Sequence, residues 1–311
     1  MFLYAPFNYY INHKNNIKLK IFYYSLEMDK QSKIIAGMSK YVYEKYKVKL
    51  DVQKLESKGM NRLTQDELAM VYDTRDYFDQ LNEVLTIHDD QINPYGIYKE
   101  LDNYARNNGK IVTKTIQIKD PDTHETVSKE IYDYYIPNNP NEYVIVIVDH
   151  LGELNLERGP DGRTMDLKGT IEKHSDNMRI LRNKYGFTLV DVQQQMASKE
   201  DQEFYKGLPI SAKLEPALHA LGESKLTQRK ANVVLGLFAP DRYQLPEYRG
   251  YNIRLLKDNF RDLSILKNRN GIGNVHVQLY FDGAVNYFKE LPKSDQMTDE
   301  MYEKIRKMND N

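Results

Sequence analysis

The feature that most constrains the fold is the alternation of short apolar runs with amphipathic helical stretches. The clearest run, Tyr143–Val148 (YVIVIV), is rich in β-branched residues, as is typical of a strand buried on both faces. The stretch from about Asp166 to Tyr185 instead spaces its apolar residues along one helical face, and Gly186 follows as a stop signal. This alternation predicts an α/β protein with a largely parallel central sheet flanked by helices.

The same patterns predict the other elements. Strands are expected at Leu19–Ser25, Val84–His88, Thr188–Gln193, Asn232–Phe238, Tyr251–Asn259, Leu263–Leu266 and Val275–Tyr280. Helices are expected after the capping residue Asp29, over Thr64–Leu81, over Pro94–Asn107 and over Asp295–Met308. Residues 110–142 break the rhythm with two alternating segments around the turn-rich DPDTHE, which predicts a β-hairpin insertion.

Composition excludes several classes of site. The 311 residues contain no Cys, so disulfides, thiolate metal sites and Cys nucleophiles are ruled out. With 44 Lys+Arg against 45 Asp+Glu, a wholly basic nucleic-acid coat is disfavoured, while local basic loops stay possible. No apolar run approaches the about 20 residues of a membrane span. Because the first ten residues also lack the features of a signal peptide, we expect a cytoplasmic protein with no membrane partner.

Two acidic residues follow predicted strands. Asp149 ends the run YVIVIVD, and Glu27 ends YYSLE. The carboxyl edge of a parallel sheet is where open α/β folds bind ligands. There, one carboxylate can hold a Mg²⁺ shell and the other can deprotonate a water. Ordinary caps or exposed turn residues are the alternative interpretation of each acid.

Two further patterns suit an anionic ligand. Gln193 and Gln194 leave the strand TLVDV, where an amide can hydrogen-bond a phosphate; a simple polar strand exit is the alternative. Lys267 and Arg269 stand at i and i+2, so both point to one side of a strand before a glycine-containing turn. A solvated hairpin tip is the other interpretation of this pair.

Taken in order, five segments resemble the RecA-like motor domain of DnaB-type replicative DNA helicases. They are YYSLEM, VIVIVDHL, VDVQQQ, GESKLTQRKANVVLGLF and LKNRNGIGNVHVQLYFDG. The resemblance runs from about Leu19 to Phe288, and the order of the segments carries it, since no single motif is specific. The amino-acid composition, which is rich in Lys, Asn and Tyr, resembles that of proteins from AT-rich phages or low-GC bacteria.

The resemblance implies roles for individual residues. Glu27 matches the catalytic glutamate, and Asp149 matches the Walker B aspartate that holds Mg²⁺, through water. Gln194 matches the glutamine that senses the γ-phosphate, with Gln193 as the register alternative. Lys267 and Arg269 match basic fingers that reach the nucleotide of a neighbouring subunit.

The resemblance also implies DNA contacts. The loops Gly152–Met165 and Gln195–Lys213 match the loops that track single-stranded DNA in the central channel of the ring. Tracking a phosphate backbone needs cations. The candidates are Arg158, Arg163, Lys168 and Lys213, each of which has a plain surface charge as its alternative interpretation.

The sequence departs from the family at several places. His150 stands where the family usually has an aromatic residue, and the 110–142 hairpin is not part of the common core. Residues 1–311 contain no GxxxxGK[ST] phosphate loop. Met1–Asn16 resembles the end of the helix that follows this loop, so we expect the chain to begin just after it, also without the family's primase-interacting domain. Residues 1–290 are then the motor domain and 291–311 a peripheral tail.

Two functions follow as hypotheses. The first is the motor domain of a homohexameric, ATP- and Mg²⁺-dependent 5′–3′ DNA helicase that translocates on single-stranded DNA, with a primase or helicase loader as further partners. The second is a non-catalytic, helicase-like fragment that binds DNA or a helicase ring without hydrolysing ATP. The seven histidines show no metal-ligand spacing, and His174 is expected in the core.

Overall fold

A computed structural model describes residues 3–58, 62–119, 124–194, 204–205, 208–209, 214–218 and 226–309. The chain divides into two compact units. The first unit comprises Met1–Glu27 and Asp79–Val192, and the second comprises Met28–Phe78 and Gln193–Asn311. Each unit is therefore assembled from two separate stretches of sequence.

The described helices are α1 (Tyr4–Ile11), α2 (Lys30–Tyr46), α3 (Val52–Leu55), α4 (Gln65–Tyr72), α5 (Arg75–Val84), α6 (Pro94–Asn107), α7 (Leu167–Tyr185), α8 (Leu226–Lys230), α9 (Ile253–Leu256) and α10 (Asp299–Asn309). Short 3₁₀ helices cover Leu151–Glu153, Pro240–Tyr243, Lys257–Asn259 and Ser294–Gln296. None of the helices described is both long enough and apolar enough to cross a bilayer.

The described strands are β1 (Lys18–Ser25), β2 (Leu85–His88), β3 (Gly109–Lys119), β4 (Thr126–Pro137), β5 (Glu142–Asp149), β6 (Thr188–Asp191), β7 (Phe204–Tyr205), β8 (Leu208–Pro209), β9 (Val233–Phe238), β10 (Glu247–Tyr248), β11 (Tyr251–Asn252), β12 (Phe260–Asn268), β13 (Val275–Asp282) and β14 (Tyr287–Glu290).

A parallel sheet forms the centre of the first unit. Its strand order is β2-β1-β5-β6, and every pairing in it is parallel. The β1–β5 register runs from Lys18 opposite Glu142 to Ser25 opposite Asp149. Val144–Val148 of β5 are all buried, each such side chain contributing about 1.5–3 kcal/mol to folding. The predicted central parallel sheet flanked by helices is confirmed.

Helices α6 and α7 pack together with the sheet in one apolar core. Leu101 of α6 and Leu181 of α7 are fully buried there with Val146 of β5. Local sequence sets the helix limits: the Asn93 side chain caps α6, and Gly186 ends α7 in the left-handed region at φ +75°.

The predicted β-hairpin is also confirmed. β3 and β4 pair antiparallel from Gly109 opposite Pro137 to Lys119 opposite Thr126. The base of the hairpin is attached to the first core, because the ring of Tyr135 packs edge-on against that of Tyr185 with centroids 4.9 Å apart.

The second unit contains a separate antiparallel sheet of order β14-β13-β12-β9. The strands predicted near Asn232–Phe238, Leu263–Leu266 and Val275–Tyr280 therefore exist, outside the parallel sheet. The second core includes Phe238, Phe260 and Tyr302.

Two predicted elements are wrong. The single helix over Thr64–Leu81 is broken into α4 and α5, because buried Thr74 donates its hydroxyl to Val71 O and its own carbonyl starts the next helix. The predicted strand Tyr251–Asn259 is largely helical, because Asn252 Oδ1 accepts a hydrogen bond from Leu255 N–H and caps α9.

Candidate functional site

Glu27 and Asp149 lie at the carboxyl edge of the parallel sheet on adjacent strands. Asp149 is the last residue of β5, and its carbonyl accepts a 2.8 Å hydrogen bond from Leu26 N–H just after β1. Glu27 follows directly, with its side chain 62% exposed. The structure thus brings two of the predicted site residues to neighbouring strand ends of the first unit.

Tyr23 contacts the candidate Mg²⁺ residue. Its hydroxyl donates a 2.7 Å hydrogen bond to Asp149 Oδ2. Burial, and secondarily this bond to a carboxylate, raise the pKa of Tyr23 well above its usual value. The hydroxyl therefore stays protonated and acts as a permanent donor that orients the Asp149 carboxylate.

His150 faces the candidate catalytic glutamate. Its Nδ1 accepts a 3.1 Å hydrogen bond from Gly152 N–H, so the neutral ring carries its proton on Nε2. Nε2 lies 3.8 Å from Glu27 Oε2 and 3.8 Å from Glu153 Oε1. An imidazole thus stands between two carboxylates, at the position where the sequence departs from the helicase family.

The residues at this edge suit a hard divalent cation in part. Mg²⁺ prefers oxygen ligands and commonly binds through one or two carboxylates while keeping several waters. Asp149 and Glu27 supply carboxylates of this kind. Within the described ranges, no group of three or more His, Asp or Glu side chains is arranged to hold a metal ion by itself.

The candidate phosphate-sensing glutamines come after the end of β6. Asp191 is the last strand residue, and Gln193 and Gln194 follow in the second unit. Gln193 Oε1 accepts a 3.0 Å hydrogen bond from the Thr227 hydroxyl on α8. Its Nε2 is buried with no hydrogen-bond partner among the described residues. Gln193, the register alternative, therefore has an oriented amide.

Lys267 and Arg269 point to the same side, as their spacing predicts. Lys267 Nζ donates to Gln228 O at 2.5 Å, and Arg269 Nη2 donates to Arg229 O at 2.9 Å. Both cations therefore cap the carboxyl end of α8, where the helix dipole favours positive charge. Burial, and then the charge of Arg269, lower the pKa of Lys267.

One short helix thus connects two predicted functional groups of the second unit. Thr227 of α8 holds the Gln193 amide, while the carboxyl end of the same helix accepts hydrogen bonds from Lys267 and Arg269. A displacement of α8 would therefore change the contacts of the Gln193 amide and of the two cations, Lys267 and Arg269.

Arg158 and Arg163, two of the candidate DNA-binding residues, share a small closed loop. Arg158 and Thr164 form an antiparallel bridge, and Gly159 N–H donates to Arg163 O at 2.8 Å. The Arg163 side chain is 89% exposed. Lys168 lies nearby in sequence, exposed in the first turn of α7.

Buried Glu157 anchors this loop. Its carboxylate accepts hydrogen bonds from Tyr95 N–H at 2.8 Å, from Asn93 Nδ2 at 3.2 Å and from Arg158 N–H at 3.0 Å. A carboxylate at the amino end of α6 is also favoured by the helix dipole. The loop is therefore fastened to the first core next to its arginines.

The other candidate DNA-binding loop, Gln195–Lys213, lies outside the described residues except for the short pair β7 and β8. Lys213 lies outside them as well. His174 is fully buried on α7, as expected for a core residue, and its Nε2 lies 2.9 Å from Asp191 Oδ1.

Sequence reasoning missed Tyr23, Glu153, Glu157 and Thr227. Tyr23 had a signal: in the parallel register it stands opposite Ile147, so it shares a face with Asp149 two residues on. Glu157 and Thr227 had none, because each acts on a residue far away in sequence.

Comparison with known proteins supports the fold. No protein-family model matches the sequence, and no curated protein sequence matches it. A solved structure of a DnaB-like replicative helicase, described with its interactions with primase, matches with a TM-score of 0.60 and 16% sequence identity. The match covers 88% of this chain and 51% of the helicase chain, so this chain spans about half the length of that protein. The likeness establishes a RecA-like α/β fold of the kind found in DnaB-like helicases.

Proposed function

We propose that this chain is the motor domain of a hexameric, ATP-dependent replicative DNA helicase that translocates on single-stranded DNA. The observation that carries the proposal is that Asp149 ends β5 while Glu27 follows the end of the adjacent parallel strand β1. The helicase-like fold supports it. Residues 1–290 are assigned to the motor and 291–311 to a tail, in the cytoplasm of a bacterium or phage-infected host.

In this proposal Glu27 accepts a proton from the attacking water, and Tyr23 orients Asp149 for its role at the metal. When bound at this edge, Mg²⁺ would supply positive charge to the phosphates of ATP. Asp149 is the residue proposed to hold it, through water. Glu27, two residues beyond the end of β1, and Asp149, at the end of β5, are placed to take these two different roles.

The basic pair acts between subunits. Lys267 and Arg269 neutralise charge on the nucleotide bound by a neighbouring copy, and a basic finger supplied in this way is worth about 10³–10⁵ in rate in related systems. Gln193 or Gln194 senses the terminal phosphate. Hydrolysis therefore requires assembly into the ring.

DNA contacts come from the loop that carries Arg158 and Arg163, with Lys168 and Lys213 as further candidates. Cations on an exposed loop suit the phosphate backbone of a single strand. Because the helicase neighbour is described with primase, a primase or helicase loader is also included among the proposed partners.

A second candidate is a non-catalytic, helicase-like protein that binds DNA or joins a helicase ring. One observation favours it: residues 1–311 contain no GxxxxGK[ST], the loop whose backbone N–H groups cradle the phosphates of ATP.

Nucleotide binding and turnover separate the two candidates. The full chain is titrated with a fluorescent ATP analogue, and phosphate release is followed with and without single-stranded DNA. DNA-stimulated turnover that Glu27→Gln abolishes supports the motor. Binding of DNA without any binding of nucleotide supports the second candidate and contradicts the first.

A further inference from the structure

The β3–β4 hairpin has one face that is largely apolar. Cross-strand partners in a sheet share a face, which groups the even-numbered residues of β3 with their partners. We call this group the outer face. It consists of the pairs Lys110–Ile136, Val112–Tyr134, Lys114–Ile131, Ile116–Lys129 and Ile118–Val127.

The opposite face explains how the hairpin is held to the first unit. Tyr135 donates its hydroxyl to Ala105 O at 2.9 Å, and Tyr132 donates to Lys184 O at 2.8 Å. Both residues belong to the opposite face, because they pair with Ile111 and Thr113. These two hydrogen bonds, both between described residues, therefore come from the opposite face.

The apolar side chains of the outer face are exposed or half-buried. Tyr134 is 51% exposed, Ile136 47% and Val127 38%. A two-stranded hairpin is at best marginally stable unless one of its faces packs against something. Contiguous exposed apolar surface is typical of a protein interaction site.

The outer face also carries an excess of positive charge. It holds Lys110, Lys114 and Lys129, and the cross-strand partners of Lys110 and Lys129 are isoleucines. Lys114 forms an ion pair with Asp133, and the distance from Lys114 Nζ to Asp133 Oδ1 is 2.9 Å. An occupant must therefore combine an apolar stripe with acidic residues beside it.

Charge and side-chain type decide among occupants. The outer face of a second copy would place lysines against lysines, which disfavours self-pairing. A single-stranded DNA site combines cations for the phosphates with aromatic rings for the bases, whereas every apolar residue of the outer face except Tyr134 is aliphatic. An acidic, apolar protein segment fits both properties.

We propose that the outer face docks an amphipathic helix of a partner protein, with an apolar stripe flanked by Asp and Glu. The face extends over nine residues of β3, or about 30 Å, and is two strands, or about 10 Å, wide. A single helix of about 20 residues has this length and diameter. A strand added at the hairpin edge would leave the apolar face uncovered.

The test uses the full chain to select from a displayed library of helical peptides of about 20 residues. All peptides share an apolar stripe, and their flanking positions are randomised among Asp, Glu, Lys, Arg, Ser and Gln. Neither ATP nor DNA is added. We expect the selected flanks to be enriched in Asp and Glu. With the double variant Lys110→Glu/Lys129→Glu, the enrichment should reverse to Lys and Arg.

Matched variants locate the binding. Tyr134→Ser and Ile131→Ser should each weaken binding of the selected peptides by about tenfold, as expected for apolar contacts near the centre of the face. Lys119→Glu and Gln117→Ser change the opposite face and should leave binding unaltered.

Three results overturn the proposal. The first is a selection with no charge preference in the flanks, or with none of its peptides sensitive to Tyr134→Ser. The second is a single-stranded oligonucleotide that binds the chain and loses affinity with the outer-face variants. The third is concentration-dependent self-association that Tyr134→Ser abolishes. A failure of ATP hydrolysis has no bearing on any of these outcomes.

Discussion

Tyr23 and Asp149 are joined by a 2.7 Å hydrogen bond across adjacent parallel strands, with the tyrosine hydroxyl as donor. The bond orients the carboxylate that is proposed to hold Mg²⁺. It connects the interior of the sheet to the edge where Glu27 lies. Loss of the Tyr23 hydroxyl should therefore lower the hydrolysis rate more than it lowers the stability of the fold.

Tyr23→Phe should lower the hydrolysis rate by about tenfold, because a hydrogen bond to a charged group is worth about 1.5 kcal/mol. The measurement is phosphate release at a series of Mg²⁺ concentrations, and the half-saturating Mg²⁺ concentration should rise. Tyr104→Phe is the matched control, since Tyr104 donates to Glu142 at 3.1 Å in the same unit. Equal rate losses in both variants would show a general effect of hydroxyl removal.

Glu157→Ala should destabilise the first unit by about 1–3 kcal/mol, because three N–H donors lose their buried acceptor. Amide exchange should rise first in the loop that carries Arg158 and Arg163, and the affinity for single-stranded DNA should fall. Glu83→Ala removes an exposed carboxylate from α5 and serves as the control. Unchanged loop exchange in Glu157→Ala would contradict the anchoring role.

The double variant Lys267→Ala/Arg269→Ala should increase amide exchange throughout α8. Two cations that donate to carbonyls at a helix end contribute about 0.3–1 kcal/mol each. Lys289→Ala, in an exposed position of β14, should leave α8 unchanged. If α8 exchanges equally in all three proteins, the basic pair does not hold this helix.

His88 and Glu100 predict a pH dependence of stability. His88 Nε2 lies 2.8 Å from Glu100 Oε1, and this close contact with the Glu100 carboxylate raises the pKa of His88 above its usual 6.5. Burial opposes ionisation of Glu100, but its contacts with His88 and Tyr24 prevail and its pKa is lowered. The His88 contribution is therefore complete below pH 6.5 and is lost as the pH rises through the raised pKa. The contribution of Glu100 to stability is lost as the pH falls through its own lowered pKa.

The corresponding measurement compares the chain with Glu100→Gln by thermal unfolding across this range. The variant should be less stable by about 1 kcal/mol near pH 6 and should approach the parent at alkaline pH, a modest effect because both side chains are partly exposed. A stability difference that does not vary with pH would contradict the ion pair.

Local signals in the sequence predicted much of the first unit. Asn93 caps α6, Pro94 opens it and Gly186 ends α7, since each acts on its own neighbouring backbone. The apolar run of β5 and its terminal Asp149 also lie where the pattern places them. These features require no knowledge of what packs against them.

Tertiary contacts limited the rest. Thr74 interrupts a continuous helical pattern through hydrogen bonds around a buried side chain, which periodicity does not register. The antiparallel pairing of β12 with β9 joins two strands that are not consecutive in the sequence. Likewise, the contact of Thr227 with Gln193 spans 34 positions, so only the folded chain shows that the Gln193 amide is held by this threonine.

The central claim is that Glu27 is the general base of an ATP-hydrolysing site. The most direct measurement is single-turnover hydrolysis of ATP by the full chain with single-stranded DNA, compared between the parent, Glu27→Gln and the neighbouring control Glu153→Gln. We expect Glu27→Gln to retain nucleotide binding and to lose turnover by about 10²–10⁴, with a much smaller loss in Glu153→Gln. Turnover in Glu27→Gln equal to that of the parent, or a parent chain that binds no ATP, would contradict the claim.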